Sequence, residues 1–208
     1  LFTNKALFKR LVVAAVLCWT NFVCVYTIVS WTPTIFVTRG FDVTYSVAMS
    51  VVMNLGIPVG VFILSLLIDK FGRKPQLIIL LPLSGILGVA WSFVPADQTI
   101  LIMVLGFIMV AIVYYWSIIV SSVYLSEPFP TEVKVRAAGF ANAFGRVGAI
   151  LNPTWVAFFL STSLGAIGIF GVSFATACIA AILVAVWGVE TKGKSLEEIN
   201  DVVFENSK

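Results

Sequence analysis

Between Arg10 and Arg39 the chain contains no Asp, Glu, Lys or Arg, and most of that gap is apolar. Similar gaps run from Asp42 to Asp69, Lys74 to Asp97, Asp97 to Glu127 and Arg136 to Glu190, the last broken only by Arg146. An α-helix of about 20 apolar residues, rising ~1.5 Å each, crosses a hydrocarbon core of ~30 Å. The first four gaps each fit one crossing. The last would make a helix of ~80 Å and must turn once, at Ser161-Thr162-Ser163-Leu164-Gly165. The expectation is an all-α membrane protein of six transmembrane helices, at about 11–36, 44–68, 76–95, 99–125, 137–160 and 167–189. Composition agrees: 11% of residues are charged, against about 25% in a soluble domain. So few charges cannot cover a 208-residue surface in water.

Charge placement sets the expected orientation. With six spans, residues 1–10, the 69–75 turn, the 126–136 segment and the 190–208 tail share one side. That side holds eleven Lys and Arg residues, and the other holds Arg39 alone. The positive-inside rule then puts both termini in the cytoplasm of a plasma membrane, most simply a bacterial inner membrane. The chain opens at Leu1 with no signal-peptide pattern, and the absence of Met suggests a segment further upstream. The tail opens with Ser195-Leu196-Glu197-Glu198, a capping-box pattern, and reads as an amphipathic cytoplasmic helix.

Several chemistries are excluded early. There is no histidine, and Cys18, Cys24 and Cys178 lie in apolar runs without metal spacing. No paired nucleophile and base is visible, so an enzyme is not expected, nor any cofactor or metal, nor nucleic acid as a partner. Trp31, Trp91 and Trp187 fall near span ends, where an aromatic belt is expected. Trp19, Trp116 and Trp155 lie deeper.

Four segments stand out. The first turn reads Asp69-Lys70-Phe71-Gly72-Arg73-Lys74-Pro75, in which Gly72 permits a tight turn and an Asp69–Arg73 pair offsets the helix dipole. The second reads Ser126-Glu127-Pro128-Phe129-Pro130, leading to Arg136, with a Glu127–Arg136 pair as one arrangement. The third, Gly145-Arg146-Val147-Gly148, carries the one cation inside a span, with Asn142 one turn before it. Such a residue costs at least ~2.5–3.5 kcal/mol unless paired or wetted, so it marks either a site or a side chain snorkelling to the surface. The fourth is Glu190-Thr191-Lys192-Gly193-Lys194-Ser195-Leu196-Glu197-Glu198.

Together these segments resemble the major facilitator superfamily, in its sugar-porter-like and metabolite-transporter branch. There, a D-x-x-G-R-[RK] turn joins helices eight and nine, an acidic-proline stretch joins ten and eleven, and an E-T-K-G-x-S-L-E-E tail follows twelve. The resemblance implies that the chain is helices seven to twelve, one half of the fold built as a 3+3 inverted repeat, with an amino-terminal six-helix half as partner. Residues 1–10 would be the cytoplasmic connection to that half, 11–189 the bundle and 190–208 the tail. It further implies a secondary transporter working by alternating access, with proton symport a property of the family alone. Sugar porters carry a Gln-Gln pair where this chain has Cys18-Trp19-Thr20-Asn21, and the Gly-Arg-x-Gly element resembles carriers of organic ions and aromatic acids.

The expected solute is therefore a small polar metabolite, an organic or aromatic acid or a sugar. Its candidate contacts are one stripe on the first helix (Thr20, Cys24, Thr27, Trp31), another on the fourth (Tyr114, Ser117, Ser121), and Asn142 with Arg146 on the fifth. The same stripes also suit plain interhelical hydrogen bonding. Asp69, Gly72, Arg73, Glu127 and Arg136 are the candidate gate. The alternative reading is a transporter-like sensor or structural membrane subunit without transport activity.

Overall fold

The computed structural model describes residues 4–125 and 127–190, with the side chains of Asp69 and Val123 also outside the description. Those residues form α1 (Lys5–Thr38), α2 (Val43–Asn54), α3 (Gly56–Phe71), α4 (Arg73–Phe93), α5 (Thr99–Ile118), a π-helical turn (Ile119–Tyr124), α6 (Thr131–Leu160) and α7 (Gly165–Trp187). Six stretches are long and apolar enough to cross a membrane, with α2 and α3 together making the second. The break between α2 and α3 falls at Leu55. Pro58 lacks the N–H that would bond the carbonyl of Asn54, the last residue of α2. Asn4 and Asp42 cap α1 and α2, accepting from the Ala6 and Thr44 amides at 2.9 and 2.8 Å. The capping-box tail lies outside the described residues.

The packing pattern reveals the internal symmetry. The most extensive contacts are α1 with α6, α4 with α7 and α3 with α5, followed by α4 with α5 and α1 with α7. Exchanging the first three spans with the last three maps α1·α6 onto α5·α3, maps α4·α5 onto α7·α1, and leaves α4·α7 unchanged. Three crossings are an odd number, so the two triplets run in opposite directions. This is a 3+3 inverted repeat.

Apolar helices in lipid gain nothing from leaving lipid for one another, so close packing must hold them together. Glycines supply it at each major contact. A methyl group on Gly56 would lie 2.5 Å from the Phe107 carbonyl oxygen, and one on Gly60 would strike the backbone of Ala111. The symmetry-related contact uses Gly145, where a methyl would come within 2.8 Å of the Cys18 backbone. Close approach is therefore what Gly56 and Gly60 provide beside Pro58.

The two ends of the bundle differ in chemistry. At one end Trp91 is wholly buried, its indole N–H donating to the Ile102 carbonyl at 2.9 Å. Its ring meets Phe36 at 5.5 Å and Phe170 at 5.3 Å. Arg39 covers this cluster, with its guanidinium 4.4 Å from the Trp91 ring and an N–H donated to the Ser92 carbonyl at 3.1 Å. Trp91 is thus a core residue rather than part of an aromatic belt, because its indole has a partner inside the bundle. Trp116 is equally buried and donates to the Ser84 hydroxyl at 3.2 Å. The other end gathers the start of α1, the α3–α4 turn, residues 124, 125 and 127–130, and the end of α7. This is the basic end, with Lys9, Arg10, Lys70, Arg73 and Lys74.

Adding a methyl at Gly60 is expected to destabilise the protein by about 1–3 kcal/mol through overpacking. At Gly139, exposed on α6 with open space around its Cα, Gly→Ala should be neutral or stabilising by up to ~1 kcal/mol. Thermal unfolding in detergent of the Gly60→Ala and Gly139→Ala variants checks this. Equal midpoints would contradict glycine-driven packing.

Candidate functional site

At the basic end, four segments distant in sequence are tied by polar contacts. The Glu190 carboxylate accepts from the backbone amides of Arg73 at 3.1 Å and Lys74 at 3.0 Å. It therefore caps α4 from the far end of the chain, placing an anion where the helix dipole favours one. Gly72 makes this possible twice over: its φ of 78° suits glycine, and a side chain there would meet the Glu190 carboxylate at 2.9 Å. Arg73 approaches Glu127 at 3.8 Å between Nε and Oε2. Arg10 is buried and donates to the Pro128 carbonyl at 2.6 Å. Lys9 lies 5.8 Å from the Trp187 ring. Burial holds the Tyr124 phenol above its ordinary pKa and nearby Glu190 adds to this, while the Val189 backbone and Arg10 pull the other way.

Among the candidate gate residues, Arg73, Gly72 and Glu127 are thus brought together. Glu127 turns to Arg73 in place of the expected Arg136, which is exposed at the start of α6. The Asp69–Arg73 pair rests on a side chain outside the described residues. Two members escaped the sequence reading. Glu190 was visible only as the opening of a tail motif, and Arg10 only as one positive charge among many.

The stripe on α1 splits. Thr20 and Thr27 are wholly buried: Thr20 donates to the Thr176 carbonyl at 3.2 Å, and Thr27 accepts from the Asn152 amide at 2.9 Å. They join α1 to α7 and to α6. Cys24 is also buried, in a narrow gap with Ser84, Met109 and Ser173, while Trp31 is half-buried. On α5, Ser117 is buried, Tyr114 half-buried, and Ser121 exposed in the π turn. Asn142 is half-buried and donates to the Ala138 carbonyl of its own helix at 3.1 Å.

Arg146 has a different setting. It is exposed, and its guanidinium sits 5.5 Å from the Phe22 ring of α1. Phe22 stands 6.1 Å from Tyr26, ring centre to ring centre. Among the described residues Arg146 has no acidic partner. A cation braced by an aromatic face and open on its other side is suited to an anionic, planar ligand. Phe22 and Tyr26 were not candidates from sequence, although their spacing with Trp19 puts all three on one face of α1. Asn21 was also passed over, and its side-chain oxygen is buried without a hydrogen-bond partner.

Comparison with known proteins agrees with this architecture. The sequence profile described as Major Facilitator Superfamily matches residues 1–153. The inner membrane metabolite transport protein YdjE of Escherichia coli is 39% identical over 97% of this chain and 44% of its own length. The niacin transporter NiaP of Acinetobacter baylyi is 28% identical, over 84% of this chain and 39% of its own. The chain thus spans less than half the length of these relatives. The crystal structure of a double tryptophan mutant of XylE superposes with a TM-score of 0.77 at 23% identity, covering 93% of this chain and 42% of that one. With the six-helix inverted repeat and the matching motifs, these findings lead to one conclusion: the chain belongs to the major facilitator superfamily.

Proposed function

We propose that the chain is the carboxyl-terminal half of a secondary transporter that moves a small organic or aromatic acid by alternating access. The observation that carries this is Arg146. An arginine within a span, lacking an acidic partner among the described residues and braced on Phe22, is costly in lipid unless it meets water or an anion. NiaP, named as a niacin transporter, supports an aromatic acid as solute. In this reading Phe22, Tyr26, Tyr114, Asn142 and Arg146 face the pathway. Thr20 and Thr27 hold its wall together.

A second six-helix bundle would complete the site, as the shared architecture of these carriers places substrate between two halves near the midplane. The basic end would face the cytoplasm, consistent with its Lys and Arg content and with the inner-membrane name of YdjE. There, the Arg73–Glu127 pair and the Glu190 cap would hold the inner gate shut while the site opens outward. The spans carry no Asp or Glu away from their ends, so a coupled proton would need a carboxylate outside this chain.

Two outcomes test the proposal. In cells expressing the complete transporter, Arg146→Gln should lower niacin uptake about 10- to 100-fold, as loss of a charge-assisted contact predicts, and Arg146→Lys should recover part of it. Uptake equal to wild type in Arg146→Gln would remove the assignment. Glu127→Ala should shift the population toward the inward-open state by about two- to fivefold, the scale of a partly exposed ion pair. Labelling of engineered cysteines from the cytoplasmic side reads this shift, and the double exchange Arg73→Glu/Glu127→Arg should reverse it. Unaltered labelling in Glu127→Ala would show that the pair plays no gating part.

A further inference from the structure

α3 and α4 both pack on α5 but diverge from each other after their turn at Gly72, leaving a groove of about 360 Å³. Its walls include Gly60, Leu67, Phe71, Pro75 and Ile79, and its polar lining side chains are Gln76 and Tyr115 alone. Those two satisfy each other. The Tyr115 hydroxyl donates to the Gln76 carbonyl oxygen at 2.5 Å, and the Gln76 amide donates to the Leu67 and Ile68 carbonyls at 3.2 and 3.4 Å. The groove therefore offers a ligand only apolar surface.

Its dimensions narrow the occupant. From Gly60 to Phe71 along α3 is about 16 Å at helical rise, and even the whole empty space there, about 850 Å³, gives a mean cross-section of only about 53 Å². A helix about 10 Å across, roughly 79 Å², does not fit; a slender hydrocarbon chain does. The groove lies within stretches that cross the membrane, with exposed Ile63, Phe71 and Ile79 at its rim. In sequence Lys70 precedes the lining residue Phe71 and Lys74 precedes Pro75, and basic residues just beyond the end of a span attract lipid phosphates. We propose that this groove seats one acyl chain of a membrane phospholipid, whose phosphate lies beside Lys74. The assignment is independent of what solute the protein moves.

The test uses the complete transporter purified into nanodiscs, with a phospholipid carrying a photoreactive acyl chain and a diacylglycerol bearing the same chain but no phosphate. Phospholipid adducts should concentrate on residues 60–80 and 111–115. Ile79→Trp, which fills the groove, should lower that yield at least about fivefold, with Ile63→Trp as a second filling variant should the first not fold. Lys74→Gln should lower phospholipid labelling about fivefold, to the level of diacylglycerol, as expected for one basic residue at an anionic surface. Adducts spread over α1, α6 and α7 in proportion to exposure would overturn the proposal. So would labelling untouched by either tryptophan, or equal labelling of the wild type by the two probes.

Discussion

Inside a bilayer no water is available to satisfy a polar atom, and the fold is arranged around that constraint. Helices meet their own backbone needs, so the question passes to side chains and to helix ends. Thr20, Asn152, Trp91 and Trp116 each find a partner on a neighbouring helix rather than in solvent. These bonds do not drive association by themselves. They become affordable only because glycines let the helices touch, and they then fix which faces meet.

Helix ends show the same logic at larger scale. The α4 amides near the membrane surface are satisfied by Glu190, which arrives from the last span. Arg10 reaches from the first helix to the Pro128 carbonyl. The basic end is thus sewn together by contacts between segments distant in sequence, whereas the opposite end is closed by the Trp91 cluster under Arg39. One end relies on charges that can exchange partners with little loss, the other on buried aromatic surface that cannot. Under the proposed alternating access, that difference suits the basic end to be the switchable one.

Much of this was legible in the sequence for a simple reason. Uncharged gaps of span length report directly on the solvent, so the six-helix all-α fold follows from them without knowledge of any contact. Which way a polar residue faces does not follow. Thr20 and Thr27 lie on a stripe that suits a cavity wall and an interhelical seam equally, because both avoid lipid. Trp91 sits where a belt residue would sit, and only its bond to Ile102 shows otherwise. The partnership of Glu190 with Arg73 and Lys74 spans more than half the chain, and no local pattern announces it. Phe22 and Tyr26 were overlooked because aromatic residues in an apolar helix ordinarily signify packing.

The Gly-Arg-x-Gly element joins packing to the site in one turn of helix. Gly145 faces Phe22 and the Cys18 backbone so closely that a methyl group would come within 2.7 Å of the ring. Gly148 faces Trp19 and Val23 in the same contact. Because these two residues let α6 lie directly on α1, Arg146, between them in sequence, is carried over the Phe22 ring. A bulkier residue at either glycine would push the helices apart and lift the cation off its aromatic support. The closeness that holds the bundle together is therefore also what positions Arg146, so that the proposed binding geometry is inherited from the geometry of packing.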